Sequence, residues 1–199
     1  MEAKNSSQAR IIDAATRLYA EEGFDVPLAR IARAARVSPR ALGSASTLRK
    51  RVFAAHFGGR WKPEWDALLR NRRIALQKRL TRFYSEYRGN ITRTGARLWT
   101  RAGLLGMHEK GNFSATLNKR LLVPIAQELR HAAGIASRKK VGTREIELVQ
   151  ALHGAIAFPH TRSHIFGMDV YGPLPDLVAM MVRVWLPGAK AEMRRLHGG

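Results

Sequence analysis

The 199-residue sequence contains no cysteine and has few acidic residues. Without cysteine the chain has no disulfide bonds and no thiolate chemistry, which excludes a disulfide-stabilised small fold and a cysteine nucleophile. The first ten residues, MEAKNSSQAR, lack the apolar stretch of a secretion signal. No run of about eighteen apolar residues occurs, so the sequence predicts no membrane span. We therefore expect an intracellular, cytoplasmic protein.

Positive charge dominates what is present. The 35 lysines and arginines exceed the 15 aspartates and glutamates, which gives a formal net charge of +20 at pH 7. No acidic residue lies between Asp25 and Glu64, yet nine lysines and arginines do. A surface of one sign attracts the phosphates of nucleic acid. A high net charge by itself indicates only solubility and non-specific affinity for nucleic acid, and that alternative stays open.

Residues 27–51, PLARIARAARVSPRALGSASTLRKR, predict two short helices joined by a tight turn. One face of the first helix is apolar at spacings of three and four, formed by Leu28, Ile31, Ala32 and Ala35. Ser38 is a helix-capping residue type, and Pro39 suits the first position of a second helix. Helices that follow so closely must cross steeply, as in a helix-turn-helix motif, whose second helix enters the DNA major groove.

Another helix precedes this motif and ends at about Glu22. Its buried stripe is predicted to comprise Ile11, Ala14, Ala15, Leu18 and Tyr19. Gly23 ends the helix, and Phe24 is expected to fold back onto Tyr19. Gly58 and Gly59 then mark a break in the helical pattern. We place the domain boundary there, with a first domain at 1–57 and a second at 58–199.

The run IIDAATRLYAEEGFDVPLARIARAARVS resembles the N-terminal domain of the TetR family of bacterial transcriptional regulators, over about residues 10–53. The resemblance implies an all-α homodimer. In this family a three-helix helix-turn-helix domain is joined by a fourth helix to a larger helical-bundle domain, which binds an effector and dimerises. Effector binding commonly changes the separation of the two DNA-binding domains and releases the operator.

The sequence departs from the family pattern along the second helix of the motif. The family usually has glycine where Arg36 stands, and tyrosine, histidine and phenylalanine where Gly43, Ala45 and Ser46 stand. The tyrosine and histidine commonly touch the DNA backbone in relatives, so those contacts do not carry over. A glycine inside a helix costs up to about 1 kcal/mol relative to alanine. We expect an altered DNA specificity.

Several residues remain that suit DNA contact. Arg40, at the second position of the second helix, is placed to reach guanine O6 and N7. Thr47 is expected to cap the next helix, whose N-terminus favours a phosphate. The predicted DNA-contacting set is Arg36, Ser38, Arg40, Ala41, Ser44, Thr47, Arg49 and Lys50. A solvated side chain is the alternative for each arginine.

The second domain also has helical periodicity throughout. Helices are predicted over about 63–69, 76–87, 91–107, 115–133, 144–165 and 174–186, with Pro187 and Gly188 ending the last. The last helix is apolar nearly all round, which indicates cover by a partner subunit. The predicted dimer interface is Leu152, Ile156, His160, Leu177, Met181, Val184 and Trp185. Burial inside one subunit is the alternative. A dimer would present two DNA-binding domains to a palindromic operator in double-stranded DNA.

Evidence for other chemistry is sparse. A pocket for an unknown small-molecule effector would use Tyr84, Trp99, Met107, His108 and Phe113, although these residues suit a core equally well. His153, His160 and His164 share one face of an unbroken helix, but Pro159 disturbs that face and no carboxylate or thiolate lies at ligand spacing. We therefore expect no metal or other cofactor.

The sequence contains no nucleophile motif and no P-loop, so we predict no enzyme. The leading hypothesis is a homodimeric DNA-binding transcriptional repressor that a small effector releases. The alternatives are a helical protein that binds nucleic acid without sequence preference and, third, a metal-dependent enzyme.

Overall fold

The computed structural model describes residues 2–57, 61–106, 113–170 and 172–198. Its α-helices are α1 (Glu2–Glu22), α2 (Leu28–Ala35), α3 (Ala45–Phe57), α4 (Pro63–Arg70), α5 (Leu76–Gly89), α6 (Arg93–Leu104), α7 (Phe113–Leu117), α8 (Val123–Ala132), α9 (Thr143–His164) and α10 (Leu174–Gly198). A 3₁₀ turn spans Pro39–Leu42, and a π-helical segment spans Asn118–Leu122. The described residues contain no β-strand, so the predicted all-α fold is confirmed. Of the described helices, none combines the length and the apolar character that crossing a membrane requires.

The chain forms two compact units. The first contains Met1–Arg60 and Thr92–Glu109, and the second contains Trp61–Ile91 and Lys110–Gly199. The sequence placed a single boundary near residue 57 and assigned everything after it to the second domain. In the structure α6 packs against α1 in the first unit, where Leu98 and Ala102 are fully buried. Arg101 on the same helix donates a hydrogen bond to the Glu21 carbonyl at 2.9 Å.

The core of the first unit is built on the apolar stripe of α1. Gly23 ends that helix with φ 107°, and its amide donates to the Tyr19 carbonyl at 3.1 Å. The ring of Phe24 then packs on Tyr19 with 5.2 Å between ring centroids. Buried against this stripe are the anchors of the helix-turn-helix segment: Ile31, Ala32, Ala35, Leu42, Leu48 and Val52. Each helix of the segment is therefore fixed to the same core.

The second unit packs α4, α5, α8, α9 and α10 around one core. Trp65 and Phe83 make an edge-to-face pair with centroids 5.3 Å apart, which fixes α4 on α5. Two buried carboxylates are paired with arginine: Glu128 lies 2.8 Å from Arg79, and Glu145 bonds Arg130. The first pair joins α5 to α8, and the second joins α8 to α9.

Helix α10 does not end at Pro187 and Gly188 as the sequence predicted, because both residues lie inside it. A proline removes one amide donor and disturbs the turn before it. Apolar burial offsets that cost, since Ala189 and Met193 beyond the proline are buried in the core of the second unit. The apolar stripe of α10 continues after residue 188. The predicted end of the helix was wrong because it considered only the proline and the glycine.

Candidate nucleic-acid interface

The turn after α2 is closed by a Schellman motif. The Val37 amide donates to the Ala32 carbonyl at 3.0 Å, and the Arg36 amide donates to the Arg33 carbonyl at 3.1 Å. Arg36 occupies the left-handed position of the motif with φ 55° and ψ 52°. Glycine is usual there, because a side chain in this conformation costs about 1–2 kcal/mol. Arg10 of α1 supports the turn by donating from Nε to the Ala35 carbonyl at 3.1 Å.

The second helix of the predicted motif is a single 3₁₀ turn, Pro39–Leu42, which we call the recognition turn. Ser38 precedes it in an extended conformation, and the Ala41 amide donates to the Ser38 carbonyl at 3.0 Å. Leu42 is fully buried and anchors the turn to the core. The sequence predicted a longer helix from Pro39. Gly43, with φ 72° and ψ −152°, stops it.

Ser44, rather than Thr47, caps the helix that follows. The Thr47 amide donates to Ser44 Oγ at 3.2 Å, and the Leu48 amide donates to the Ser44 carbonyl at 2.9 Å. Helix α3 consequently begins at Ala45, three residues before Leu48, the start that a cap at Thr47 predicted. The Thr47 hydroxyl lies 2.9 Å from the Ser44 hydroxyl at the same helix end.

Four basic side chains on α2, on the recognition turn and on α3 have no counter-charge among the described residues. Arg33, Arg36, Arg40 and Lys50 are all exposed, and no acidic side chain of the described residues lies within 4.0 Å of any of them. Arg30 differs from these four, because it pairs with Glu22 at 2.5 Å. Unpaired cations on the same segment as the exposed serines Ser38 and Ser44 suit a polyanion such as nucleic acid. Arg33 was not in the predicted contact set, although its spacing of three from Arg36 was a usable signal.

The remaining predicted DNA-contacting residues are placed as follows. Ser38, Ala41 and Ser44 are exposed on or beside the recognition turn. Arg49 is half-buried, and its Nη2 donates to the Phe24 carbonyl at 3.2 Å. That bond holds the Arg49 side chain against its own unit, so Arg49 serves the fold as well as the surface.

The residues predicted for an effector pocket are not brought together. Tyr84 is fully buried in the second unit, whereas Trp99 packs edge-to-face on Phe57 in the first. Met107 and His108 lie outside the described residues, as does the side chain of Phe113. In the second unit a cleft of about 730 Å³ is lined mainly by polar and basic residues, among them Arg70, Gln127, His131 and Lys139.

The predicted dimer residues divide between core and surface. Leu152, Ile156 and His160 are buried within the second unit. Leu177, Met181 and Trp185 are half-buried, and Trp185 Nε1 donates to the Leu148 carbonyl at 3.0 Å. Val184 is 72% exposed. Other exposed apolar side chains near the ends of α9 and α10 are Phe158, Phe166, Met168 and Met180.

Of the three histidines of α9, His153 and His160 are buried and His164 is half-buried. His160 Nε2 accepts a hydrogen bond from Arg88 Nε at 2.8 Å, and its ring lies 5.5 Å from that of His164. Burial, with Arg88 and His164 nearby, lowers the pKa of His160 to about 4. Burial also lowers the pKa of His153 to about 4. Within the described ranges, no three metal-ligating side chains group together.

Comparison with known proteins agrees with the all-α fold and with the N-terminal helix-turn-helix segment. Residues 11–42 match the bacterial regulatory proteins, tetR family. The fold is similar to the crystal structure of a candidate TetR-family transcriptional regulator from Mesorhizobium loti MAFF303099. That similarity has a TM-score of 0.59 at 12% identity and covers 93% of this chain and 97% of the other. No curated protein matches the chain significantly in sequence. The predicted TetR resemblance is confirmed, and the matched segment ends at Leu42, the last residue of the recognition turn.

Proposed function

We propose that this chain, whose residues 11–42 match the TetR family, is a homodimeric transcriptional repressor that a small effector releases from a palindromic operator. The observation that carries DNA binding is the group of exposed, unpaired cations around the recognition turn: Arg33, Arg36, Arg40 and Lys50. The buried side chain of Leu42 holds this turn on the core, so the cations project from a fixed base. The proposed role is regulatory, in keeping with the matched family.

The proposed docking uses the recognition turn as the reading element. Arg40, exposed at its second position, is assigned to a guanine edge in the major groove, where a guanidinium bonds O6 and N7 together. Arg33, Arg36 and Lys50 are assigned to phosphates, which fix the register of the domain on the duplex. Each phosphate contact contributes about −0.9 to the slope of log K against log salt.

Dimerisation is supported by the exposed apolar side chains of α9 and α10. Phe158 is 55% exposed and Val184 is 72% exposed, and a partner subunit would cover these apolar side chains. Small residues beside Phe158 on the outer face of α9 would allow a second copy to approach closely: Ala151, Gly154 and Ala155. A two-fold dimer matches a palindrome whose half-sites lie about 34–36 Å apart or a multiple of that.

Repression and release follow from linkage. An effector that binds more tightly to the form unable to span both half-sites weakens operator binding by the same free energy. The two effects are reciprocal, so operator DNA must weaken effector binding to an equal extent. Equilibrium titrations in both directions test this part directly.

Selection of bound duplexes from a random DNA pool tests the proposal, followed by fluorescence anisotropy on the selected sequence at several salt concentrations. We expect a palindromic consensus. Arg40→Ala should weaken specific binding by about 1–3 kcal/mol and relax preference at one position of each half-site. Arg17→Ala is the matched control, since it removes an exposed arginine from α1 rather than from the recognition turn. A pool without any enriched sequence would contradict the proposal.

One observation favours a second function, nucleic-acid binding without sequence preference. The recognition turn has only four residues, so it offers fewer side chains to base edges than a full helix does. Under this alternative the affinity for selected and scrambled duplexes is equal, and both fall steeply with salt. A specificity ratio of at least about 10³ would exclude it.

A further inference from the structure

Arg88, near the end of α5, carries a buried charge without a counter-charge. It is 2% exposed, yet its Nη1 and Nη2 atoms have no hydrogen-bond partner. Its Nε donates to His160 Nε2 at 2.8 Å, which is a neutral acceptor. No carboxylate of the described residues lies within 4.0 Å of Arg88. The outer edge of this guanidinium, the part that usually grips a carboxylate, is therefore unused.

Arg79, nine residues earlier on the same helix, shows how the chain treats a buried arginine that is purely structural. It is 3% exposed, and its Nη1 bonds Glu128 at 2.8 Å. Burial of a charge is costly unless it is paired. Since α8 supplies the Glu128 carboxylate to Arg79, whereas no described residue supplies one to Arg88, Arg88 lacks a partner that its environment requires.

The groups next to Arg88 have unmet polar atoms as well. Tyr84 is one helical turn away on the same face of α5, fully buried, and its hydroxyl has no partner. His153 of α9 is also buried with an unpartnered Nδ1, and its ring centroid lies 6.1 Å from that of Tyr84. Burial raises the pKa of Tyr84 and lowers that of His153 to about 4, so both are neutral at pH 7. The facing sides of α5 and α9 thus hold three unsatisfied polar groups and one net positive charge.

We propose that Arg88, Tyr84 and His153 bind the carboxylate of a small organic acid and that this acid is the effector. A carboxylate is planar and singly charged, so it satisfies both free guanidinium nitrogens and neutralises the one charge present. Phosphate would bring a second negative charge that the neutral imidazoles of His153 and His160 do not balance. The carboxylate site is argued from these unpaired atoms and their charge, whereas its role as effector rests on the proposed repressor function.

The binding test uses the full chain with acetate, hexanoate and benzoate, each compared with its neutral amide at constant ionic strength. We expect at least one carboxylate, and none of the amides, to raise the thermal midpoint and to shift the Arg88 Nε–Hε resonance. Arg88→Met should abolish the thermal response and, without ligand, unfold at the same or a higher temperature than the parent chain, because it removes an unpaired buried charge.

Two variants of the same helix serve as controls. Arg79→Met leaves Glu128 with one arginine fewer, so it should unfold at a lower temperature and keep its response to the carboxylate. Arg82→Met changes an exposed arginine and should alter neither property. If no carboxylate stabilises the chain, or if Arg88→Met lowers the midpoint as Arg79→Met does, the site is structural and the proposal is wrong.

The role of the carboxylate as effector is tested separately, by the fluorescence anisotropy of the selected duplex. Release of DNA by the stabilising carboxylate from the parent chain, and not from Arg88→Met, is the expected result. If the carboxylate binds without releasing DNA, its role as effector is wrong, but the proposed binding site is still supported. A chain that binds the carboxylate but no DNA at all overturns the proposed function instead, so the two failures are distinguishable.

Discussion

Replacement of Glu145 by glutamine tests whether a buried ion pair holds the second unit together. Glu145 lies in the first turn of α9 and is 5% exposed. Arg130 of α8 bonds both its carboxylate oxygens, each at 2.5 Å. The Gly142 amide donates to Oε2 at 2.6 Å, and His197 near the end of α10 lies 2.9 Å from Oε1. One carboxylate therefore joins three helices.

The magnitude follows from the pKa and from the burial of Arg130. Burial raises the pKa of Glu145, but hydrogen bonds from Arg130, the Gly142 amide and His197 outweigh it and hold the pKa at about 2. Relative to the ordinary value of 4.5, that difference corresponds to about 3.5 kcal/mol at about 1.4 kcal/mol per unit. Glu145→Gln leaves Arg130, itself 5% exposed, without a counter-charge. We expect a loss of about 3 kcal/mol, the lower end of the range for breaking a buried pair.

The sign of the pH dependence follows from the depressed pKa of Glu145. A carboxyl group with a lower pKa in the folded than in the unfolded chain stabilises fully above the unfolded value of 4.5. That contribution declines as the pH falls toward about 2. The difference between the parent chain and Glu145→Gln should therefore be largest near neutral pH and shrink in acid.

Urea unfolding, followed by tryptophan fluorescence in a Trp99→Phe background, measures the loss of unfolding free energy caused by Glu145→Gln. Three of the four tryptophans, Trp61, Trp65 and Trp185, belong to the second unit, so the remaining signal reports on that unit alone. Glu192→Gln is the control, because it breaks an exposed pair with Arg195 and should leave the midpoint unchanged. A loss below about 1 kcal/mol at pH 7 would refute the reasoning, as would Arg130→Met and Glu145→Gln adding independently in the double variant.

Three smaller perturbations test other parts of the molecule. Ser44→Ala removes the cap of α3 and should destabilise the first unit by about 1 kcal/mol, measured by hydrogen exchange of the α3 amides. Arg36→Gly relieves the left-handed backbone at φ 55° and should slow the same exchange, by up to about 1 kcal/mol, although it removes one cation. Val184→Asp places a charge on the exposed apolar face of α10 and should convert the proposed dimer to a monomer in light scattering, with Arg183→Asp as the control on the same helix.

The sequence predicted what depends on local pattern. The stripe of α1 and the spacing of Ile31, Ala32 and Ala35 placed the first two helices, because apolar periodicity reports directly on a buried face. Gly23 and Phe24 gave the end of α1, because glycine takes the left-handed conformation that ends a helix at little cost. Arg40 is exposed, as its place on the charged side of the motif indicated.

What depends on distant contacts was missed. The packing of α6 on α1 rests on Leu98 and Ala102, about eighty residues from the stripe they cover, and no local signal identifies that partner. The pairing of Arg130 with Glu145 and the lack of a partner for Arg88 also depend on how the helices pack, which the sequence does not show directly. Proline and glycine at 187 and 188 were read as a stop, but burial of Met193 decided the outcome. Gly43 and Ser44 did indicate that the recognition turn is short. The resemblance to a family with a full second helix led to the prediction of a longer one.

The short recognition turn makes the proposed dimer a condition for specificity. One Arg40–guanine contact discriminates by about 1–3 kcal/mol, whereas specific regulators exceed their non-specific binding by about 4–10 kcal/mol. A single domain with one such contact falls short of that range, and two domains on one duplex double the discrimination and reach its lower part. Val184→Asp should therefore reduce the specificity ratio by more than it reduces affinity for scrambled DNA. An unchanged ratio in the monomeric variant would show that one recognition turn suffices and that the pairing of subunits serves another purpose.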